Sequence, residues 1–463
     1  MSTTALNDLQ SYVESLVKKY EVPAVSLAIW HNNQLHRAAD GILNSETGVA
    51  ATPDAIFQIG SITKVFTTSL IMQLVDEGRV ELDRPVKHYL RDFQVADADA
   101  SNSITVRQLL NHTSGLMGDF FPDESDADSN LIARYVDRCS LLPQIHQPGH
   151  YYSYCNSAFA IAGRLVEVVS GISWFSAVEE RIFKPLNMNH AVSRPSEVLR
   201  YRTAIGHELK SGQPATWQPA TACYLPLGLA SAGSTLTMSA TDLIRIAEMF
   251  LNEERSETND IWLSTDAINN MLQTQIQLPP FSKVYNRYAG LGWAKLSLKS
   301  CGTEIIFHNG GTLGQIATLQ IIPEQNLAFA ALINGNKSGL LEAITEELLA
   351  EFADVHIKES EPTTNDDSTE LANDTYTGQY RSFDGTYNIS LENNKLVAKL
   401  TYDFDPTLPE NLRLTPIGDN IFATYRENGE RLSNIVFLEN ERIKANLRKE
   451  FLFSNCRLSY RVI

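Results

Sequence analysis

The stretch IFQIGSITKVFTTSLIMQLVDEG, Ile56–Gly78, decides how the whole chain is read. Its strand-like opening ends at Gly60, and the apolar residues Val65, Leu70 and Leu74 then recur at helical spacing until Gly78. Ser61 therefore stands at a helix entrance. An N-cap would need only the serine. A capping box would want Glu or Gln three residues on, where the chain has Lys64. The helix macrodipole disfavours a cation in the first turn by about 0.3–1 kcal/mol, so the lysine needs another reason to be there. Residues at i and i+3 share a helix face, which brings the Lys64 amine within reach of the Ser61 hydroxyl. Burial and the dipole would lower the lysine pKa toward neutrality and make it a base able to activate the serine. S-x-x-K alone recurs by chance, so its meaning depends on the rest of the chain.

That chain has 463 residues, is 43% hydrophobic and carries a net charge of −17. The length predicts two or three domains with a large core. The acidity, with no Lys/Arg-rich stretch to offset it, argues against nucleic acid as a partner and fits a soluble surface. Five cysteines (Cys139, Cys155, Cys223, Cys301 and Cys456) are odd in number, widely spaced and without a C-x-x-C pair, so they read as reduced, small buried side chains. The N-terminal segment carries Asp8 and Glu14 where a signal peptide would be apolar, and no run is long enough to span a bilayer. The expectation is a cytoplasmic protein without a membrane partner.

Leu6, Leu9, Val13, Leu16, Val17 and Tyr20 predict an amphipathic first helix. VPAVSLAIW and LHRAADGI flank His31-Asn32-Asn33 as a β-hairpin. From about Ser61 to Leu251 the pattern is mainly helical, with a clear helix start in SATDLIRIAEMFL. From Glu304 come the strands EIIFHNGG, GQIATLQII and LAFAALING, then a helix, SGLLEAITEELLAEFA. This order predicts an α+β fold in which an antiparallel sheet, assembled from the two ends of residues 1–356, is flanked by helices and a helical block. Residues 357–370, which include KESEPTTNDDSTE, read as an acidic linker. Residues 371–463 read as a small all-β domain, barrel or sandwich, with tight turns at Asn393-Asn394 and Asn428-Gly429.

Two further stretches carry possible chemistry. In PGHYYSYCNSAFAIAG, Tyr154 and Asn156 lie in a loop leading into an apolar helix; taken alone they read as a half-buried aromatic and a helix cap. In FHNGGTLGQ, Gly310-Gly311 alone could be a bulge. The ten histidines include no H-E-x-x-H, and Pro148 and Gly149 separate His146 from His150, so no metal or other cofactor is expected.

Together, Ser61-Ile62-Thr63-Lys64, Tyr154-Cys155-Asn156 and His308-Asn309-Gly310 resemble, in order and spacing, the S-x-x-K, Y-x-N and H-x-G motifs of the serine β-lactamase and penicillin-binding-protein superfamily. The likeness is to its class C β-lactamase, D-aminopeptidase and esterase branch. LLNHTSGL, PGHYYSYCN and ASAGSTLTMSATDL are also similar, over roughly the first 355 residues. The resemblance implies acyl transfer through a covalent intermediate on Ser61. Lys64 and Tyr154 would shuttle its proton, with the phenol helped toward phenolate by the nearby ammonium. Asn156, His308 and Gly310 would contact substrate, with Gly310 and Gly311 letting it approach the strand closely. The oxyanion would sit between the amides of Ser61 and Gly311.

Two departures bear on the substrate. Cys155 stands where the family commonly has serine, but no motif places an activating histidine beside it. His308 stands where β-lactamases usually have lysine, and a histidine largely neutral at pH 7 offers a carboxylate little charge. Small esters or peptide-type amides, including those with D-residues, are therefore expected over penicillins. The alternatives are an acyltransferase of the same mechanism and a penicillin-binding sensor without turnover. YTGQYRS and the hairpins after it resemble a lipocalin-like barrel, which in this group shapes the site or joins subunits into a homo-oligomer.

Overall fold

A computed structural model describes residues 8–122, 130–210, 216–251, 262–280, 282, 284–337, 339–357, 375–382, 385–402, 409–439 and 451–462. Helix α1 (Leu9–Tyr20) buries Leu9, Val13 and Leu16 as the periodicity predicts; Leu6 lies outside the described residues. Strands β1 (Ala24–His31) and β2 (Gln34–Asn44) form the expected hairpin. Its two-residue turn has Asn32 and Asn33 at φ +49° and +62°, left-handed positions that asparagine tolerates. The sheet continues with β3 (Val49–Ala50), β4 (Ile276–Gln277), β5 (Tyr285–Ala289), β6 (Ala294–Leu298), β7 (Glu304–Thr312), β8 (Gln315–Ile322) and β9 (Leu327–Ile333).

Its antiparallel order is β3-β2-β1-β9-β8-β7-β6-β5-β4, so the two ends of the segment meet where β1 pairs with β9, Ala28 opposite Ala330. Strands β4 to β6 precede the point where the sequence reading begins its second set of strands. Their mixed side chains, YNRYA and AKLSL, sit half-buried toward one end of the sheet and never make the apolar run that marks its centre.

The interior strand β9 is buried on both faces. Ala328, Ala330 and Leu332 join the core shared with α2 (Thr63–Asp76), α3 (Asn156–Ser170) and α4 (Ala240–Leu251). Leu327, Phe329, Ala331 and Ile333 pack with α1 and α5 (Leu340–Ala353). Phe329→Ala is expected to lower stability by about 3–5 kcal/mol, read as a reduced denaturation midpoint, because a fully buried ring leaves a cavity at the sheet centre.

Most of the predicted linker, residues 358–370, lies outside the described residues. The C-terminal strands, β10 (Gly378–Arg381), β11 (Gly385–Glu392), β12 (Lys395–Tyr402), β13 (Glu410–Gly418), β14 (Ile421–Arg426), β15 (Arg431–Leu438), β16 (Phe451–Ser454) and β17 (Arg457–Val462), close into a barrel. Tyr380, Ile389, Leu396, Phe422 and Phe437 fill it. A separate apolar cluster unites Val436, Phe451, Phe453 and Leu458 of the barrel with Tyr152, Leu278 and Ala289 of the first domain. Burying such side chains stabilises by about 1.5–3 kcal/mol each, so the barrel is docked rather than tethered.

The five cysteines are unpaired; Cys139 and Cys155 are buried as expected, but Cys223 and Cys301 are exposed. Among the described residues no single helix is long and apolar enough to cross a membrane, and no cluster of three or more His, Cys, Asp or Glu side chains could hold a metal ion.

Candidate active site

The Ser61 segment begins in a short strand, Phe57–Gln58, passes through a one-turn 3-10 helix, Gly60–Ile62, and enters α2 at Thr63. Neither helical turn has a side-chain cap, so the N-cap role for Ser61 is not the one realised. Gly60 holds φ +52°, and a Cβ on it would lie 2.5 Å from the Gly311 nitrogen. Only glycine lets this turn press against β7, which sets Ser61 and Gly311 side by side.

Lys64 is fully buried. Its Nζ lies 2.7 Å from Asn156 Oδ1, 2.6 Å from the Ala232 carbonyl and 3.1 Å from Ser61 Oγ. Burial, then the Arg457 charge, hold its pKa well below the ordinary lysine value, against the opposing pull of Asp119 and Cys155. A neutral amine has two N–H bonds and one lone pair. The two obligate acceptors, Asn156 Oδ1 and the Ala232 oxygen, take the N–H bonds, which leaves the lone pair for the Ser61 hydroxyl.

Tyr154 and Asn156 reach the same point from the N-terminus of α3. Cys155, not Asn156, caps that helix, its Sγ accepting from the Ala158 amide at 3.3 Å. Burial pushes the Cys155 thiol up to about 11, which makes it a poor nucleophile. Cys155→Ser, which preserves a cap, is accordingly expected to leave the rate of Ser61 acylation close to wild type when followed by mass spectrometry. The Tyr154 phenol hydrogen-bonds Ser61. Burial raises its pKa and outweighs the lowering influence of the Ser61 bond and Arg457, so the expectation of a phenolate is replaced by a neutral phenol. Its ring stacks on His112, centroids 4.3 Å apart.

His308 is buried, its Nδ1–H donating to the Asn309 carbonyl at 2.7 Å, and its ring centroid is 6.3 Å from that of Tyr154. Burial, then the Lys64 charge, push its pKa down to about 3, so it is neutral. Gly310 has a packing role that its motif does not give. A Cβ there would lie 1.9 Å from the Ile59 carbonyl oxygen, so Gly310 serves the contact between β7 and the Ser61 turn. A Cβ on Gly311 would meet nothing within 4 Å, and Gly311 lines the cavity.

That cavity, of about 800 Å³, is walled by both domains: Ser61, Tyr154 and Asn156 on one side, Tyr387, Asn455 and Arg457 on the other. Sequence reasoning missed Asp119 and Arg457. Asp119 comes shortly after LLNHTSGL, in a stretch whose local pattern gives it no distinguishing mark. Its side chain accepts from Asn156 Nδ2 at 2.6 Å. Arg457 follows the hairpin turn Asn455-Cys456, both at positive φ, and its Nε and Nη2 grip the two Asp119 oxygens.

The sequence profile of the Beta-lactamase family matches residues 9–354, three quarters of the chain. The chain belongs to this family. It is 35% identical over 357 residues to penicillin-binding protein 4 of Amycolatopsis lactamdurans, covering 76% of this chain and 91% of that protein. The crystal structure of SurE superposes with a TM-score of 0.81 at 27% identity, over 99% of both chains, so the likeness includes the barrel. A D-stereospecific amidohydrolase from Streptomyces sp. matches 76% of this chain and 99% of its own length, at a TM-score of 0.57 and 26% identity. Within the beta-lactamase family, then, this chain carries an additional closed barrel whose side chains enter the cavity around the serine.

Proposed function

We propose that this beta-lactamase family member is a serine hydrolase that works through an acyl-enzyme on Ser61 and cleaves small esters or peptide-type amides, including those with D-residues. The observation that carries this reading is the Lys64 amine, buried, held by two acceptors and turned toward the Ser61 hydroxyl. As Ser61 Oγ attacks a carbonyl, Lys64 takes its proton, and the neutral Tyr154 phenol donates to the leaving group. The protonated amine returns a proton to Tyr154, and water then releases the acyl group. The backbone amides of Ser61 and Gly311 are assigned to the oxyanion. The D-stereospecific amidohydrolase among the similar structures supports an amide substrate of that kind. Neutral His308 offers no charge to a penicillin carboxylate, so β-lactam turnover should be weak.

The test is intact-protein mass spectrometry after mixing with an activated short-chain ester, benzylpenicillin in parallel, and Ser61→Ala as control. A transient acyl mass that requires Ser61 supports the reading. A permanent adduct would favour a sensor, or a transferase awaiting its acceptor. No Ser61-dependent adduct with either compound would remove it. Tyr154→Phe is expected to slow acylation by about a hundredfold or more, the low end for a general acid.

A further inference from the structure

Arg457 is brought to the site by the barrel, and its place there is fixed on both sides. Ser454 pairs with Arg457 across the two-residue turn Asn455-Cys456. The Cys456 carbonyl accepts from the Tyr154 amide at 2.8 Å, and the Leu458 amide donates to Ser153 Oγ at 3.2 Å. The residues before and after Arg457 are thus bonded to the segment that presents the catalytic tyrosine.

From this position a continuous chain runs to the lysine. Arg457 Nη2 donates to Asp119 Oδ1 at 2.9 Å, Asn156 Nδ2 donates to the same oxygen at 2.6 Å, and Lys64 Nζ meets Asn156 Oδ1 at 2.7 Å. A carboxylate can only accept, and Asn156 Oδ1 can only accept, so Asp119 permits one orientation of the Asn156 amide. Asp119 is only 7% exposed. A carboxylate so placed needs a cation, and two cationic side chains stand near it. If Lys64 answered that need it would be protonated and useless as a base. A guanidinium stays charged at any working pH, so Arg457 can answer it permanently.

Resting on the hydrolase reading above, we infer that Arg457 is a positioning residue: it holds the Asp119 carboxylate that fixes Asn156 against Lys64, and neutralises that carboxylate so that Lys64 can stand uncharged. The barrel therefore completes the catalytic site electrostatically as well as walling its cavity. The other titratable groups that face Lys64 do not compete for this part. Cys155 and Tyr154 are held protonated and neutral by burial, and burial is also the main cause that keeps His112 and His308 neutral.

The test is direct titration of Lys64 in the full chain carrying [13Cε]lysine, with its resonance identified by loss in Lys64→Arg. Arg457→Gln should raise the Lys64 midpoint by about one pH unit, the low end for an opposite charge at short range. Asp119→Asn should lower it, and the double variant, with no buried unpaired charge, should return it toward wild type. Arg457→Lys, which keeps the charge but not the two-point grip, should hold the midpoint and orient Asn156 less well, slowing acylation. In parallel, labelling of Ser61 by an alkyl fluorophosphonate is followed against pH. Its acidic limb should move with the Lys64 midpoint in each variant, whereas loss of barrel docking alone would scale the rate without moving the limb. An unmoved midpoint in Arg457→Gln and in Asp119→Asn, with Ser61 still labelled, overturns the inference and leaves the hydrolase reading intact. Midpoints that move while wild-type Ser61 takes no label would sink the hydrolase reading and leave the charge coupling standing. Should Arg457→Gln fail to fold, Asp119→Asn and the double variant decide the matter alone.

Discussion

Lys64→Met is expected to slow acylation of Ser61 by about 10²–10⁴-fold, the range typical of a positioned general base. Methionine fills the same buried volume but has no lone pair to accept the serine proton. If Lys64 is the base, the working form in wild type is the neutral amine, so the rate is expected to rise with pH through the folded pKa of Lys64 and to be level above it. Because burial and the Arg457 charge hold that pKa well below the ordinary lysine value, the level region begins at a lower pH than an ordinary lysine would allow. The variant should lose the rising limb together with the rate. The substitution also deprives Asn156 Oδ1 and the Ala232 carbonyl of a donor, at a cost of about 1–3 kcal/mol for each buried acceptor left unpaired. Rates are therefore compared well below the unfolding temperature of the variant. A Lys64→Met protein that keeps both its rate and its acidic limb would take the proton transfer away from this lysine.

The parts of the site that could be read in the sequence are those where chemistry and local preference conflict. Lys64 is conspicuous because a helix start disfavours it, and Ser61 because it lies one turn away on the same face. Tyr154 and Asn156 have bland local readings, and only the order and spacing of three motifs made them candidates. Gly310 shows the limit of motif reading. The motif marks the glycine, but its reason, a carbonyl of the Ser61 turn where a Cβ would be, is a contact between segments roughly 250 residues apart.

Asp119 and Arg457 were out of reach for the same cause. They are 338 positions apart, and each is an ordinary surface residue type until the barrel docks. The turn that delivers Arg457 was nonetheless written locally: the apolar run FLFS precedes Asn455-Cys456 and RLSY alternates after them. An Asn-Gly there would have read at once as a tight hairpin, whereas Cys456 takes the left-handed conformation at φ +65°, which side chains other than glycine rarely adopt. The barrel itself was legible because period-two alternation and asparagine turns are local signals, as at Asn393-Asn394, where both residues have positive φ. Strands β4 to β6 were not, because half-buried strands with polar and aromatic residues carry no clean period.

Gly310→Ala is the second large effect, and its contrast with Gly311→Ala makes it diagnostic. A Cβ at Gly310 would lie 1.9 Å from the Ile59 carbonyl oxygen and 2.8 Å from its carbon, closer than atoms can approach. Both partners are backbone, in β7 and in the turn that carries Ser61, so no side-chain rotamer can relieve the overlap. The strand and the turn must separate, and with them the amides of Ser61 and Gly311. Losing one oxyanion donor costs about 10²–10³-fold in kcat, and overpacking of this kind costs about 1–3 kcal/mol of stability. Gly311, one residue on, points its missing Cβ into open space, so Gly311→Ala should fold like wild type and affect mainly KM by narrowing the cavity. Steady-state ester kinetics and thermal unfolding of the two variants separate the roles. If Gly310→Ala matched Gly311→Ala in both kcat and unfolding temperature, the contact between β7 and the Ser61 turn would not be what holds the oxyanion site together, and the assignment of the Gly311 amide to it would have to be abandoned.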